Sequence, residues 1–266
     1  MGNASLQSMW DDGAEAWVEF VRSGKDYYRD ELNNPAFFEL LGNIRGKRIL
    51  DLGCGEGYNS RIMARKGARV VGIDFSQKMI DFAVEEEENE RLGIDYYVLD
   101  ARNLHTFEKD TFDTVACFMA LQDIEDYRGA VKETCRVLKK HGRFVFSIPH
   151  PCFERRIMGD QIIGGWEYRE GTEDESLEDA LYYKVDRYFE VHSFIIPWKM
   201  ERLTRHFETT SFHRTLTDYA SALYDAGLAI SRLTEPIPTR EGIEKHPTMK
   251  EHLRIPQSVI IEAVKR

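Results

Sequence analysis

Asp51-Leu52-Gly53-Cys54-Gly55-Glu56-Gly57 sets a glycine at every second position immediately after the apolar run Lys47 to Leu52. That run reads as a buried strand, so the glycines fall in the turn that leaves it. Three residues without a side chain leave the backbone open to close approach, and the helix that follows presents free N–H groups at its start. Taken alone, such a turn suits either a bound ligand or a simple reversal of the chain, and the strand ends beside it decide between them.

The rhythm on either side of this stretch is that of parallel strands joined by crossover helices. Tyr58 to Lys66 reads as a helix closed by Gly67, and Ala68 to Asp74 as a second strand. Ser76 is suited to N-cap a helix that buries Met79, Ile80, Phe82 and Ala83, carries the acidic Glu85 to Glu88 on its solvated face and stops at Gly93. Ile94 to Leu99, Thr114 to Met119 and Arg143 to Ile148 complete five strands, with a helix from about Tyr127 to Lys140 and Gly142 at its exit. The fold class that follows is α/β, a doubly wound Rossmann-like sheet. After Pro149 the alternation stops. Residues 150–213 are rich in Trp, Tyr, Phe and His, contain an acidic loop at Glu173 to Asp179, and read as an insertion that acts as a lid. A helix Thr217 to Ala226, closed by Gly227, then leads to Leu228 to Leu233 and Ser258 to Val264. A loop without helical pattern joins the last two, which suits an antiparallel hairpin. Trp17, Phe20 and Val21, then Phe37, Phe38, Leu40 and Leu41, give the start of the chain helical spacing. The expected organisation is an N-terminal helical cover (1–45), a ligand-binding domain (46–149 and 214–266) and the lid (150–213).

Composition narrows the partners. The 266 residues hold 36 Lys plus Arg against 46 Asp plus Glu, a net charge of −10 that repels a phosphate backbone. The densest basic cluster, Arg136 to Arg143, belongs to a helix and its exit turn, so nucleic acid is not an expected partner. Cys54, Cys117, Cys135 and Cys152 form no C-x-x-C pair and read as reduced thiols of a cytoplasmic protein. The stretch ending Met9-Trp10-Asp11-Asp12 has no export pattern, and no run approaches the roughly 18 apolar residues of a membrane span.

Ligands of open α/β sheets bind beyond the carboxyl ends of the strands. Asp74 ends the second strand, where a carboxylate can accept both hydroxyls of a ribose, with Phe75 next to it; Asp100-Ala101 ends the third, where an adenine amine is within reach. A dinucleotide fold prefers G-x-G-x-x-G, and the third glycine is here Tyr58. An NAD-dependent oxidoreductase is therefore the weaker of the readings open to this rim.

With these elements in register, the chain resembles the class I S-adenosylmethionine-dependent methyltransferases over residues 46–149 and again from 216 to the end. The resemblance implies that Asp51, Gly53, Cys54, Gly55 and Gly57 surround the amino-acid part of S-adenosylmethionine. It also implies that Asp74 and Phe75 meet the ribose, Asp100 and Ala101 the adenine, and Phe118 to Leu121 the methionine side. Tyr27, Tyr28 and Arg29 are similar to an N-terminal tyrosine and arginine that some relatives place near the cofactor carboxylate. The implied sheet order is 3-2-1-4-5-7-6 with strand seven antiparallel, and the implied product is S-adenosylhomocysteine.

A sulfonium methyl is already electrophilic, so alignment and exclusion of water are the main demands, with a base needed only for a protonated acceptor. The expected acceptor is a small molecule, and its wall is Pro149-His150-Pro151-Cys152-Phe153 with Trp166, Tyr188, Phe189, Trp198 and Phe212-His213-Arg214. His150 is the candidate base, against the alternative that it holds a Pro-rich turn. His213 and Arg214 are candidates for an anionic acceptor, against the alternative that they brace a strand edge. His150, Cys152 and His213 match no zinc spacing, so no metal is expected. A non-catalytic S-adenosylmethionine-binding module is the remaining alternative.

Overall fold

The computed structural model describes residues 5–158, 161–170, 177, 179–199 and 203–266. Seven strands form one sheet: β1 Arg48–Leu52, β2 Arg69–Asp74, β3 Asp95–Val98, β4 Phe112–Phe118, β5 Leu138–Pro149, β6 Leu228–Thr234 and β7 Ser258–Lys265. Their order across the sheet is 3-2-1-4-5-7-6. β1 to β5 pair in parallel, whereas β7 runs antiparallel between β5 and β6. The expected fold class, order and hand of strand seven are all present.

Two layers of helix cover this sheet because its central strands are apolar on both faces. In β1, Ile49 packs with Phe37, Leu40 and Leu41 of α2 (Asn34–Leu41) and Met63 of α3 (Tyr58–Arg65). Leu50 and Leu52 face the other way, into the core built with Ala130 and Val131 of α5 (Tyr127–Val137) and Tyr219, Ala222 and Leu223 of α6 (Leu216–Asp225). Asp51 shares the α3 side, buried at 1% exposure.

Helix α1 (Leu6–Arg22) closes the top. It is N-capped by Ser5, whose side chain accepts the Ser8 amide. Ala14 and Val18 pack on Met79 of α4 (Gln77–Glu90), while Ala16, Phe20 and Val21 meet Phe207 and Leu203. Gly13 permits this: a Cβ there would run into the Phe207 ring.

Three details depart from the sequence reading. The helix expected to reach Lys140 ends at Val137, and β5 begins at Leu138. The positive φ falls on His141 (+62°), not on Gly142. Val137-Leu138 already favours extended backbone, and Leu138 pairs with Phe112 across an irregularity in the β4 register. The β6–β7 connection also contains structure, a helix α7 (Arg240–Lys245) and a 3₁₀ turn (Pro247–Leu253). Thr239 caps α7 by accepting the Gly242 amide. Finally, the segment after Pro149 is strand-rich: the antiparallel pairs Arg156–Met158 with Gln161–Ile163, Gly165–Tyr168 with Ala180–Lys184, and His192–Trp198 with Phe207–His213. The acidic loop of the sequence reading, Glu173 to Asp179, lies outside the described residues apart from 177 and 179.

Candidate active site

The glycine turn is shaped by what surrounds it. Gly53, Gly55 and Gly57 have φ of +72°, +54° and +81°. A Cβ on Gly53 would stand 2.5 Å from the Ala120 Cβ at the end of β4, and one on Gly57 would strike the Tyr96 ring; around Gly55 nothing lies within 4 Å. The middle glycine therefore faces open space, and its neighbours are fixed by packing. The amides of Gly53 and Cys54 both donate to the Ile73 carbonyl, each at 2.9 Å.

Asp74 holds the turn from below. Its Oδ2 accepts the Gly55 amide and its Oδ1 the Ser76 amide, both at 2.9 Å. Burial pushes this carboxyl up to about 6, even though the two amides favour its charge. Asp51 accepts the Ser60 hydroxyl at 2.5 Å through Oδ2, while its buried Oδ1 has no partner. Burial, with Asp74 near it, pushes Asp51 up to about 7. The Cys54 thiol is driven up by burial and by Asp51, Asp74 and Glu56, so it stays protonated. A buried carboxyl with an orphan oxygen and a half-buried one, beside an open glycine, favour a cationic, hydroxyl-bearing ligand.

The cover reaches this rim. Asp11 of α1 accepts the Ser76 hydroxyl at 2.6 Å, and Arg22 pairs with Glu56 at 3.2 Å and Glu86 at 3.1 Å. Arg29 lies 3.7 Å over the Tyr58 ring at the start of α3, and donates to Asp30 and the Val21 carbonyl. Tyr28 turns elsewhere, its ring edge-on to His252 and its hydroxyl 3.5 Å from Glu251. Of the N-terminal pair, Arg29 is the member at the glycine helix.

The other rim residues divide. Ala101 is buried in the core, and Phe118 stacks on Phe37 at 3.8 Å. Phe75 is half-buried beside Asp74. The Asp100 carboxylate is gripped by the Arg102 side chain and amide at 2.6 to 3.0 Å. Burial works against its charge, but these donors hold it below the ordinary aspartate range. Arg102, two residues on in the sequence, carried no signal that it would occupy this carboxylate. Met119 just beyond β4 is forced to φ +48°, with its amide on Ser147.

The residues expected at the acceptor wall are occupied with one another. His150 is 4% exposed; its Nδ1 accepts the Cys152 amide at 3.2 Å, which leaves the proton on Nε2, and Nε2 donates to Glu235 at 2.9 Å. Burial lowers its pKa against the pull of Glu235. Both ring nitrogens are thus engaged in this structure, one as acceptor and one as donor. His213, fully buried, sits between Glu154 at 3.1 Å and the Tyr188 carbonyl at 2.9 Å. Arg214 donates to the carbonyls of Leu121, Gln122, Ile124 and Glu125, so an anionic acceptor would find no free guanidinium there. Trp198 belongs to the cover: it packs against Trp17 at 5.0 Å and Phe207 at 5.8 Å, and donates to Thr209. Tyr188 accepts the Leu216 amide at 2.8 Å. Phe153 lies 4.9 Å from the His150 ring and 6.0 Å from Tyr183, and Cys152 is half-buried. Among the described residues no group of three His, Cys, Asp or Glu is arranged to hold a metal, and no helix is long and apolar enough to cross a membrane.

Comparison with known proteins adds an independent view. Residues 50–146 match a methyltransferase domain family. A ubiquinone biosynthesis O-methyltransferase of Coxiella burnetii is 35% identical over 119 residues, 44% of this chain and 50% of that enzyme. The chain thus spans about half the length of this curated relative. An uncharacterized protein of Haemophilus influenzae is 26% identical over 212 residues, 77% of this chain and 76% of its own. The crystal structure of an S-adenosylmethionine dependent methyltransferase from Mesorhizobium loti superposes with a TM-score of 0.68 at 29% identity, covering 87% of this chain and 96% of that one.

Proposed function

For a chain that belongs to the class I S-adenosylmethionine-dependent methyltransferases, we propose methyl transfer to a small-molecule acceptor by in-line displacement. The observation that carries the reading is the open face of Gly55, held by Asp74 and flanked by the orphan Oδ1 of Asp51. These residues fit the cofactor. Its ammonium supplies donors for these carboxyls, and its ribose hydroxyls have in Asp74 two oxygens that each still carry a free lone pair. When bound, S-adenosylmethionine supplies an electrophilic methyl group.

The chain's own residues do the rest. Gly53, Cys54, Gly55, Gly57, Asp51, Asp74 and Phe75 hold the amino-acid and ribose parts, and Ala101 and Asp100 flank the adenine end, with Arg102 fixing the Asp100 carboxylate. Phe118 is set by its stack on Phe37 and lines the methionine side. Arg29 is fixed over Tyr58 at the mouth, and α1 shuts out water above Ser76. The net charge of −10 argues against a nucleic-acid acceptor. The family match ends at residue 146, before the strands of 150–213, so this chain's acceptor preference rests on residues outside the shared part.

S-adenosylhomocysteine is expected to raise the melting temperature of the purified protein by several degrees, and NAD to leave it unchanged. Stabilisation by NAD alone would overturn the cofactor assignment. Transfer of label from S-adenosylmethionine into a metabolite extract tests turnover, and its absence with bound cofactor would favour a non-catalytic module.

A further inference from the structure

Asp11, Ala14, Val18 and Arg22 recur at the three- and four-residue spacing that puts side chains on one face of a helix. In α1 this stripe lies along α4. Ala14 and Val18, its apolar middle, pack on Met79, while its two charged ends reach the turns that follow β1 and β2.

At the first end a single oxygen of Asp11 takes two donors. Its Oδ1 accepts the Ser76 hydroxyl at 2.6 Å and the Lys78 amide at 3.3 Å. Ser76 is fully buried, caps α4 by accepting the Met79 amide, and gives its own amide to Asp74 at 2.9 Å. The start of α4 and the carboxylate that ends β2 are thus held from α1 through one serine. Asp11 is also close enough to add to the upward push on the Asp74 carboxyl, behind the larger effect of burial.

At the other end Arg22 has three partners. Its Nε donates to Glu56 Oε2 at 3.2 Å and its Nη2 to the Phe82 carbonyl at 3.0 Å, and its Nη1 lies 3.1 Å from Glu86. Glu56 stands between Gly55 and Gly57, with its side chain 2% exposed. Arg61 of α3 holds the same carboxylate at 2.9 Å and the Glu56 carbonyl at 2.7 Å. The glycine turn is therefore clamped at Glu56 from two helices, and what Arg22 adds to the Arg61 pair is a tie to the cover. The far side of α1 is itself seated: Gly13 lies against the Phe207 ring, Trp17 packs on Trp198, and Glu19 accepts the Thr204 hydroxyl at 2.7 Å. A helix packed on both sides passes its position on to what it touches.

Resting on the cofactor assignment above, we propose that Asp11 and Arg22 are positioning residues for S-adenosylmethionine, Asp11 setting the ribose turn through Ser76 and Arg22 the amino-acid turn through Glu56. Neither has to touch the cofactor. A turn that spends only part of its time in the binding geometry binds more weakly by that fraction, and each contact raises the fraction for its own turn. Because the two act on different turns, their effects separate by ligand.

The test titrates the full-length protein calorimetrically with S-adenosylhomocysteine and with 5′-methylthioadenosine, which keeps the adenine and ribose but ends at the thioether. Asp11→Ala should weaken both about tenfold, the effect of losing a hydrogen bond to a charged group. Asp11→Asn, whose Oδ1 can still accept from Ser76 and Lys78, should bind both to within about twofold of the parent. Arg22→Met should weaken S-adenosylhomocysteine about tenfold and 5′-methylthioadenosine less than about twofold. Glu86→Gln, which alters a partner of Arg22 on α4 and leaves Glu56 in place, should bind both as the parent does. Circular dichroism establishes the fold of each variant; Asp11→Ser and Arg22→Gln replace Asp11→Ala and Arg22→Met if those do not fold. Failure of the parent to bind S-adenosylhomocysteine would remove the cofactor reading. With normal binding by the parent, unchanged affinities in Asp11→Ala and Arg22→Met would overturn the positioning roles alone. Equal loss of both ligands in Arg22→Met, or as large a loss in Glu86→Gln, would overturn the role given to Arg22.

Discussion

At Gly53 two independent constraints meet, a left-handed φ of +72° and the Ala120 methyl in the space a Cβ would take. They are separable. Gly53→Ala should lose about 1–2 kcal/mol to backbone conformation and about 1–3 to the clash. Adding Ala120→Gly should restore the second portion and leave the first. Urea titration of the two single variants and the double variant reads both, and a double variant as unstable as Gly53→Ala would deny the steric contact. The glycines themselves were legible, because an alternating run after an apolar strand has few other uses. What they touch was not: nothing in the sequence says that Tyr96 closes on Gly57 or that Arg102 covers Asp100. His150, His213 and Arg214 were picked out by residue type at the rim, but type does not reveal that a carboxylate, a carbonyl or a backbone amide has already taken each polar hydrogen or lone pair. Asp123 went unremarked for the converse reason, since a carboxylate at the end of the short turn Leu121–Asp123 looks like any solvated one until the strand 207–213 is laid over it.

At the level of elements, five parallel strands and their helices could be read from periodicity because each is apolar where the sheet is buried. The end of α5 could not, since the break depends on pairing Leu138 with Phe112 and on a left-handed histidine. Short strands in 150–213 escaped because alternation over three to seven residues is weak in an aromatic-rich stretch. The connection after β4 shows what long-range contact adds. Four carbonyls of residues 121–125 are held by one guanidinium about ninety positions later. Arg214→Met should keep the packing of the stem on Tyr127 and lose these bonds, lowering stability by about 3 kcal/mol. Amides of residues 122–126 should exchange faster in hydrogen-exchange mass spectrometry while those of β1 do not. Arg214→Lys should rescue little, because an ammonium cannot span four carbonyls. Unaltered exchange in Arg214→Met would show that the turn stands by itself.

For the whole molecule, the net charge of −10 hides an opposition between two sets of carboxyls. Asp51, Asp74 and Asp123 are raised, by burial first, to about 7, 6 and 8. A carboxyl raised in the folded state contributes stability that is complete below its unfolded value of about 4 and is lost as pH climbs through the folded value. Asp113, Glu133 and Glu251 are lowered, held charged by Arg48 and Lys139, by Arg136, and by His252 and Trp166 against the cost of burial. Their contribution is present above about 4 and disappears below it. The ligand-free protein should therefore melt highest near pH 5, several degrees above its value at pH 8, and fall steeply in stronger acid. Calorimetric scans from pH 3 to 9 check this, and a melting temperature that rises steadily to pH 8 would contradict it. With its ammonium placed at Asp51 and Asp74 as proposed above, S-adenosylhomocysteine should flatten the decline on the alkaline side.

The guanidinium of Arg214 grips only main-chain oxygens, and every amino acid offers the same one. The brace is consequently blind to which side chains stand at 121 to 125. Side chains at 122 and 123 can therefore be exchanged while the loop keeps its course, so point mutation can resurface the segment after β4 without first rebuilding it.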